Sequence, residues 1–157
     1  MAVRINDVEG ASDVRHDEVR YLHGRSELFA WWRPMTGSAE VSLTVRAGLG
    51  CTVVRVGGVL DLATAPDLKA CLQQAIQDGA RNIVLDIADV QFIDSSALGA
   101  LVSIYKELQP RSGRLCLAAV PPLVLRVLRL TSVDRLVTVY DSVEAAEQDL
   151  AATDAGR

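Results

Sequence analysis

A chain of 157 residues suits one domain of ordinary size, and half of its residues are apolar, enough to bury a substantial core. Its formal net charge of −4, from 20 acidic against 16 basic residues, excludes a nucleic-acid binder that works through a phosphate-neutralising basic face. No window approaches the roughly 18 uninterrupted apolar residues of a membrane span, and the N-terminus lacks the apolar core of a signal peptide, so a cytoplasmic location without a membrane span is expected.

Residues 1–40 differ from the rest. They hold both histidines, both tryptophans and charges of both signs with little periodicity, and are expected to form an N-terminal extension, flexible or partly ordered. His16 and His23, near Asp13, Asp17 and Glu18, lack the spacing of a metal site, and no metal is expected. Phe29, Trp31 and Trp32 beside Arg25 and Arg33 suit packing back on the domain or docking on a partner. Met35 is expected to be the natural start, because the organised pattern begins just after it.

From Val41, apolar Val41, Leu43 and Val45 alternate with Ser42, Thr44 and Arg46, the period of a half-buried strand. Gly48-Leu49-Gly50 supplies a turn, and a second, antiparallel strand follows through Cys51, Val53, Val54 and Val56. Gly57-Gly58 permits a bend. Thr64-Ala65-Pro66-Asp67 then reads as a helix start with a capping Thr, and Leu68, Cys71, Leu72, Ala75 and Ile76 form one face of a helix that should end at Gly79.

The stretch from Asn82 to Gln109 changes period midway. Ile83, Val84, Leu85 and Ile87 form a β-branched run typical of a strand buried on both faces. After a connector holding Val90, Phe92 and Ile93, the spacing of Leu98, Leu101, Val102, Tyr105 and Leu108 predicts an amphipathic helix. Asp94, Ser95 and Ser96 lie at the change, and each can cap a helix by accepting a hydrogen bond from a free N–H. A plain cap is one reading. The other is an anion or phosphate site, because a hydroxyl there sits at the positive end of the helix dipole.

Pro110 to Gly113 breaks the pattern, and Leu115, Leu117 and Ala119 alternate as a further strand. Pro121-Pro122 opens a helix expected to turn Leu123, Val124, Val127, Leu128 and Leu130 inward and Arg126 and Arg129 to solvent. A short strand, Leu136 to Tyr140, leads to a last helix from Ser142, capped by Asp141 with Glu144 three residues on. Cys51, Cys71 and Cys116 are odd in number and set among apolar neighbours, which suits small buried hydrophobes rather than disulfides or zinc ligands.

The string VLDIADVQFIDSSALGALVSIYKEL resembles the signature of the STAS-domain family, specifically the bacterial anti-sigma factor antagonists. The family motif Asp-Ser-Ser/Thr-Gly-Leu-Gly appears here as Asp94-Ser95-Ser96-Ala97-Leu98-Gly99, with Ala97 where Gly is frequent. A second motif, Gly-Glu-Leu-Asp, is matched by Gly58-Val59-Leu60-Asp61, which keeps the Asp and lacks the Glu. The resemblance implies an α/β STAS domain over residues 41–152 with a short tail, 153–157, and a mixed central sheet of four to five strands packed with about four helices.

It also implies a function. The unphosphorylated protein would bind an anti-sigma factor serine/threonine kinase, and phosphorylation at Ser95, with Ser96 as second candidate, would end that binding until a serine phosphatase restores it. Asp61, Asp94, Ser95, Ser96, Leu98 and Gly99 would form the partner surface, although helix spacing also assigns Leu98 to the core, and Asp61 also reads as a turn residue. The alternative is a STAS scaffold or small-ligand-sensing subunit of a larger signalling or transport assembly. No enzyme and no cofactor are expected: Ser95 has no Gly-x-Ser-x-Gly elbow, and both histidines lie in the extension.

Overall fold

The computed structural model describes residues 22–24, 27–32 and 41–156. Among these residues seven strands form one mixed sheet whose spatial order follows the sequence. They are β1 (Leu22–Gly24), β2 (Glu27–Trp32), β3 (Val41–Gly48), β4 (Cys51–Leu60), β5 (Asn82–Ile93), β6 (Arg114–Ala118) and β7 (Thr138–Tyr140). Four helices accompany them: α1 (Ala65–Gln77), α2 (Ser95–Leu108), α3 (Pro122–Leu130) and α4 (Val143–Ala155). From Val41 onward this is the expected mixed sheet of five strands with four helices.

Two strands lie inside the stretch expected as an extension. β2 pairs antiparallel with β3, Trp31 opposite Thr44, and β1 pairs with β2, which sets His23 opposite Leu28. His16 and Met35 lie outside the described residues.

Chain connectivity decides where the helices sit. β3 and β4 form an antiparallel hairpin closed by Leu49-Gly50, with Gly50 at φ 68°. β4 to β7 are parallel, and each parallel step needs a crossover, supplied in turn by α1, α2 and α3. Because the sheet grows in one direction and such crossovers are right-handed, all three helices fall on the same face. They bury Val41, Leu43, Val45, Val54, Val56, Ile83, Leu85, Leu115 and Leu117. α4 follows the last strand, is free of that constraint, and covers the opposite face over Val53, Val84, Cys116 and Ala118 through Val143, Ala146 and Leu150. β5 and β6 therefore have both faces buried, as their uninterrupted apolar runs require.

Several local expectations are corrected. β5 does not stop at Ile87 but runs through Val90 and Phe92 to Ile93, because β4 also continues past its glycines and pairs with it from Gly57–Asp89 to Leu60–Ile93. Register shifts there, with Gly58 at φ 101°, leave two outward residues in succession and hide the strand period. Thr64 does not cap α1 with its side chain; its hydroxyl is buried and donates to the Val59 carbonyl at 2.7 Å. Ser142, not Asp141, caps α4, its Oγ accepting from the Ala145 N–H at 3.1 Å. Ala119 lies beyond β6 at φ 56°, and α4 takes in residues expected as tail. Leu123 and Leu130 are exposed, because the face of α3 turned to the core is centred on Val124 and Leu128, one turn apart, with Leu125 and Val127 packing partly against it. α1 does end as expected, with Gly79 at φ 106°.

Glu147 fastens α4 to the β3–β4 hairpin. It is 9% exposed and accepts from the Leu49 N–H at 2.9 Å and from the Arg46 guanidinium at 3.3 and 3.4 Å. Burial pushes its pKa up, but the Leu49 N–H and Arg46 together outweigh burial and hold it below the ordinary value of 4.5. A carboxylate depressed in the fold contributes stability above its unfolded-state pKa, and that contribution is lost as pH falls through the folded value. Glu147→Gln should cost about 1 kcal/mol at neutral pH, allowing for solvent screening at Arg46. In urea melts, the gap between variant and parent should close as pH drops below 4.5.

Candidate functional site

The site grows from the last pair of residues in the β4–β5 ladder. Leu60 lies opposite Ile93, and the Asp94 N–H donates to the Leu60 carbonyl at 3.0 Å, so the loops after both strands leave the sheet side by side. That bond brings the two sequence motifs together. Asp94 then takes an extended conformation and caps α2, its Oδ1 accepting from the Ser96 N–H at 2.8 Å and the Ala97 N–H at 3.2 Å. Its carbonyl accepts from the Leu98 N–H at 3.0 Å, the first bond of the helix.

Ser95 is the first residue of α2 and is exposed, and among the described residues its Oγ makes no hydrogen bond. Ser96 is half-buried, with its N–H engaged by Asp94. Gly99 lies one turn beyond Ser95 on the same helix face, also exposed, with no atom within 4 Å of where a Cβ would stand. Leu98 is not part of this surface. At 6% exposed it packs inward with Ala97, Ala100 and Leu101, a floor beneath the serine.

The neighbouring loop is stiffened from within. Asp61 Oδ1 accepts from the N–H groups of Ala63 at 3.0 Å and Thr64 at 3.2 Å, while the Asp61 N–H donates to Thr64 Oγ1 at 2.9 Å. Asp61 is thus a turn residue, and it also stands beside Asp94 through the strand register. This turn projects Leu62, which is 75% exposed, and Phe92 just before Asp94 is 52% exposed. Sequence reasoning overlooked both. Leu62 was masked by the strand-like run before it, and Phe92 by the irregular ladder around it.

A hydroxyl, two carboxylates and two exposed apolar side chains on a rigid edge suit contact with another protein. The described residues include no cluster of three or more potential metal ligands. Burial pushes the thiols of Cys51 and Cys71 up to about 12 and that of Cys116 up to about 11, so they are poor nucleophiles, as small hydrophobes would be. A separate groove of about 640 Å³ lies along the face that α4 leaves partly open, lined among others by Thr44, Arg46, Arg55, Asp86 and Asp89. Its Arg55–Asp89 ion pair spans 2.9 Å, and Ser95 does not line it. No helix among the described residues is long and apolar enough to cross a membrane.

Comparison with known proteins agrees with this geometry. The STAS domain family model matches residues 42–146. The chain is 32% identical over 94 residues to the anti-sigma F factor antagonist of Paenibacillus polymyxa, covering 59% of this chain and 80% of that protein. It is 33% identical over 91 residues to the anti-sigma-B factor antagonist of Staphylococcus aureus, covering 58% of this chain and 84% of that one. The crystal structure of an anti-sigma factor antagonist from Mycobacterium paratuberculosis superposes with a TM-score of 0.65 at 27% identity, over 70% of this chain and 93% of that chain. These relatives are regulators, and on this similarity, together with the fold and the paired edge loops, the chain belongs to the STAS-domain family, among the anti-sigma factor antagonists.

Proposed function

We propose that this protein is a phosphorylation-controlled partner switch. Unphosphorylated, it binds an anti-sigma factor that is also a serine kinase through the surface around Ser95, and a sigma factor is thereby released. Phosphorylation at Ser95 ends the complex, and a serine phosphatase restores it. The observation that carries this reading is the position of Ser95, exposed and unbonded at the start of a helix whose next residues, Ala97 and Leu98, are already core.

The electrostatics support the direction of the switch. A phosphoserine adds about −1.5 to −2 charge and three acceptor oxygens. At the α2 N-terminus the helix dipole stabilises that group, so the fold beneath tolerates it. A bound partner meets it next to the carboxylates of Asp61 and Asp94, where repulsion and desolvation add. A loss of roughly 3 kcal/mol weakens binding on the order of a hundredfold, enough to exchange partners. Exposed Leu62 and Phe92, in the two segments that meet at the Leu60–Ile93 pair, supply apolar contact.

Incubation with the cognate kinase and ATP should place phosphate on Ser95, as mapped by mass spectrometry; an unmodified Ser95 sinks the reading. Ser95→Asp should weaken the kinase complex on the order of a hundredfold in a binding titration, while the stability of the free protein moves by less than about 1 kcal/mol. Gly99→Ala separates fold from function. An added Cβ meets open space in a helix interior, so it should stabilise the free protein by about 0.5–1 kcal/mol in denaturant melts. Its methyl should nevertheless weaken the complex, since it fills the shallow place beside Ser95.

A further inference from the structure

The outward side of α3 holds a surface that the Ser95 site does not use. Leu123 and Leu130 are 73% and 76% exposed, and Val127 between them is half-buried. Positions 123, 127 and 130 follow the i, i+4, i+7 spacing, which at 100° per residue makes a stripe only about 60° wide. Arg126 borders this stripe and Arg129 lies further round the exposed side, while α3 has no acidic residue. The short 3-10 turn Val133–Arg135 follows, adding exposed Arg135 and half-buried Asp134, and then Leu136, 41% exposed, so that three arginines stand against one carboxylate.

Stripe width and charge together select the occupant. A helix lying in a bilayer interface presents a broad apolar face, whereas a narrow row at alternating spacings of four and three is the seam of a helix–helix contact. A second copy of α3 is disfavoured, because its arginines would meet their own kind. This cationic patch is also a local reversal in a chain of net charge −4. We propose that this face docks an acidic amphipathic helix of a partner protein, its apolar residues seated along Leu123, Val127 and Leu130 and its carboxylates facing Arg126 and Arg129. A contact on a helix of nine residues falls in the small class of interfaces, below about 1,200 Å², and is reversible. The proposal stands independently of phosphorylation at Ser95.

The test uses the full chain, isotopically labelled, and two synthetic helical peptides with leucines at the seam positions, flanked by glutamates in one and lysines in the other. The glutamate peptide should shift the amide resonances of α3 and of Val133 to Leu136, and bind at least tenfold tighter than the lysine peptide. Leu123→Ser with Leu130→Ser should abolish the response. Arg126→Glu with Arg129→Glu should reverse the peptide preference, and since all four side chains face solvent, melting temperatures should hold; if the leucine pair melts early, the arginine pair alone decides. Equal binding of both peptides, or shifts confined to other elements, overturns the proposal. So does binding to phosphatidylglycerol vesicles that the leucine substitutions remove, or concentration-dependent self-association through α3.

Discussion

The parallel ladder between β4 and β5 is the constraint from which the rest of the molecule follows. It runs from Thr52–Ile83 to Leu60–Ile93 and is closed by the Asp94 N–H on the Leu60 carbonyl. Two strands that lie parallel cannot be joined by a tight turn, so α1 is compelled to cross between them, and its entry loop has to start where β4 ends. β5 ends at the same level, which delivers α2 beside that loop. The nearness of Asp61 and Ser95 is thus a product of register. A slip of one residue would turn Leu85 and Val84 to each other's faces and undo both cores at once.

The helices that crossovers impose and the one they do not impose play different parts. α1, α2 and α3 share one face and the larger apolar cluster, and the Ser95 surface is built on α2, the helix at its centre. A phosphate on that serine would stand above Ala97, Leu98 and Leu101, none of which needs to move to admit it. Close-packed interiors resist small displacements, which favours a response in the partner over one in the fold. α4 holds the smaller cluster and is secured by a mostly polar clasp at Glu147.

Much of this was legible in the residues. Val41, Leu43 and Val45 alternate because β3 buries one face, whereas Ile83 to Leu85 run without a break because helices cover both faces of β5; the two patterns announce their own surroundings. Asp94 was readable as a cap because short acceptors have few other uses at such a boundary. What escaped was set by non-local geometry. The continuation of β5 to Ile93 depends on a bulged partner strand 32 to 33 residues earlier in the chain, Gly57 opposite Asp89 and Leu60 opposite Ile93, which no local periodicity encodes, and Leu123 looks as apolar as Leu128 until the sheet's position selects between them. Likewise Thr64 has the residue type of a cap but is drawn inward by the Val59 carbonyl, and Leu62 gains its prominence only from the turn that Asp61 and Thr64 tie.

The clasp at Glu147 joins residues 98 positions apart, linking the final helix to the first hairpin of the main sheet. A chain emerging from the ribosome lays down the Ser95 edge well before it lays down α4. Until α4 is in place, Val84 and Cys116 stay open to water, and the Ser95 edge stands on a sheet covered on one face only. A fragment that lacked α4 would therefore carry the same Ser95 edge on a sheet with one face open to water, which ties the integrity of that edge to a helix that never touches it.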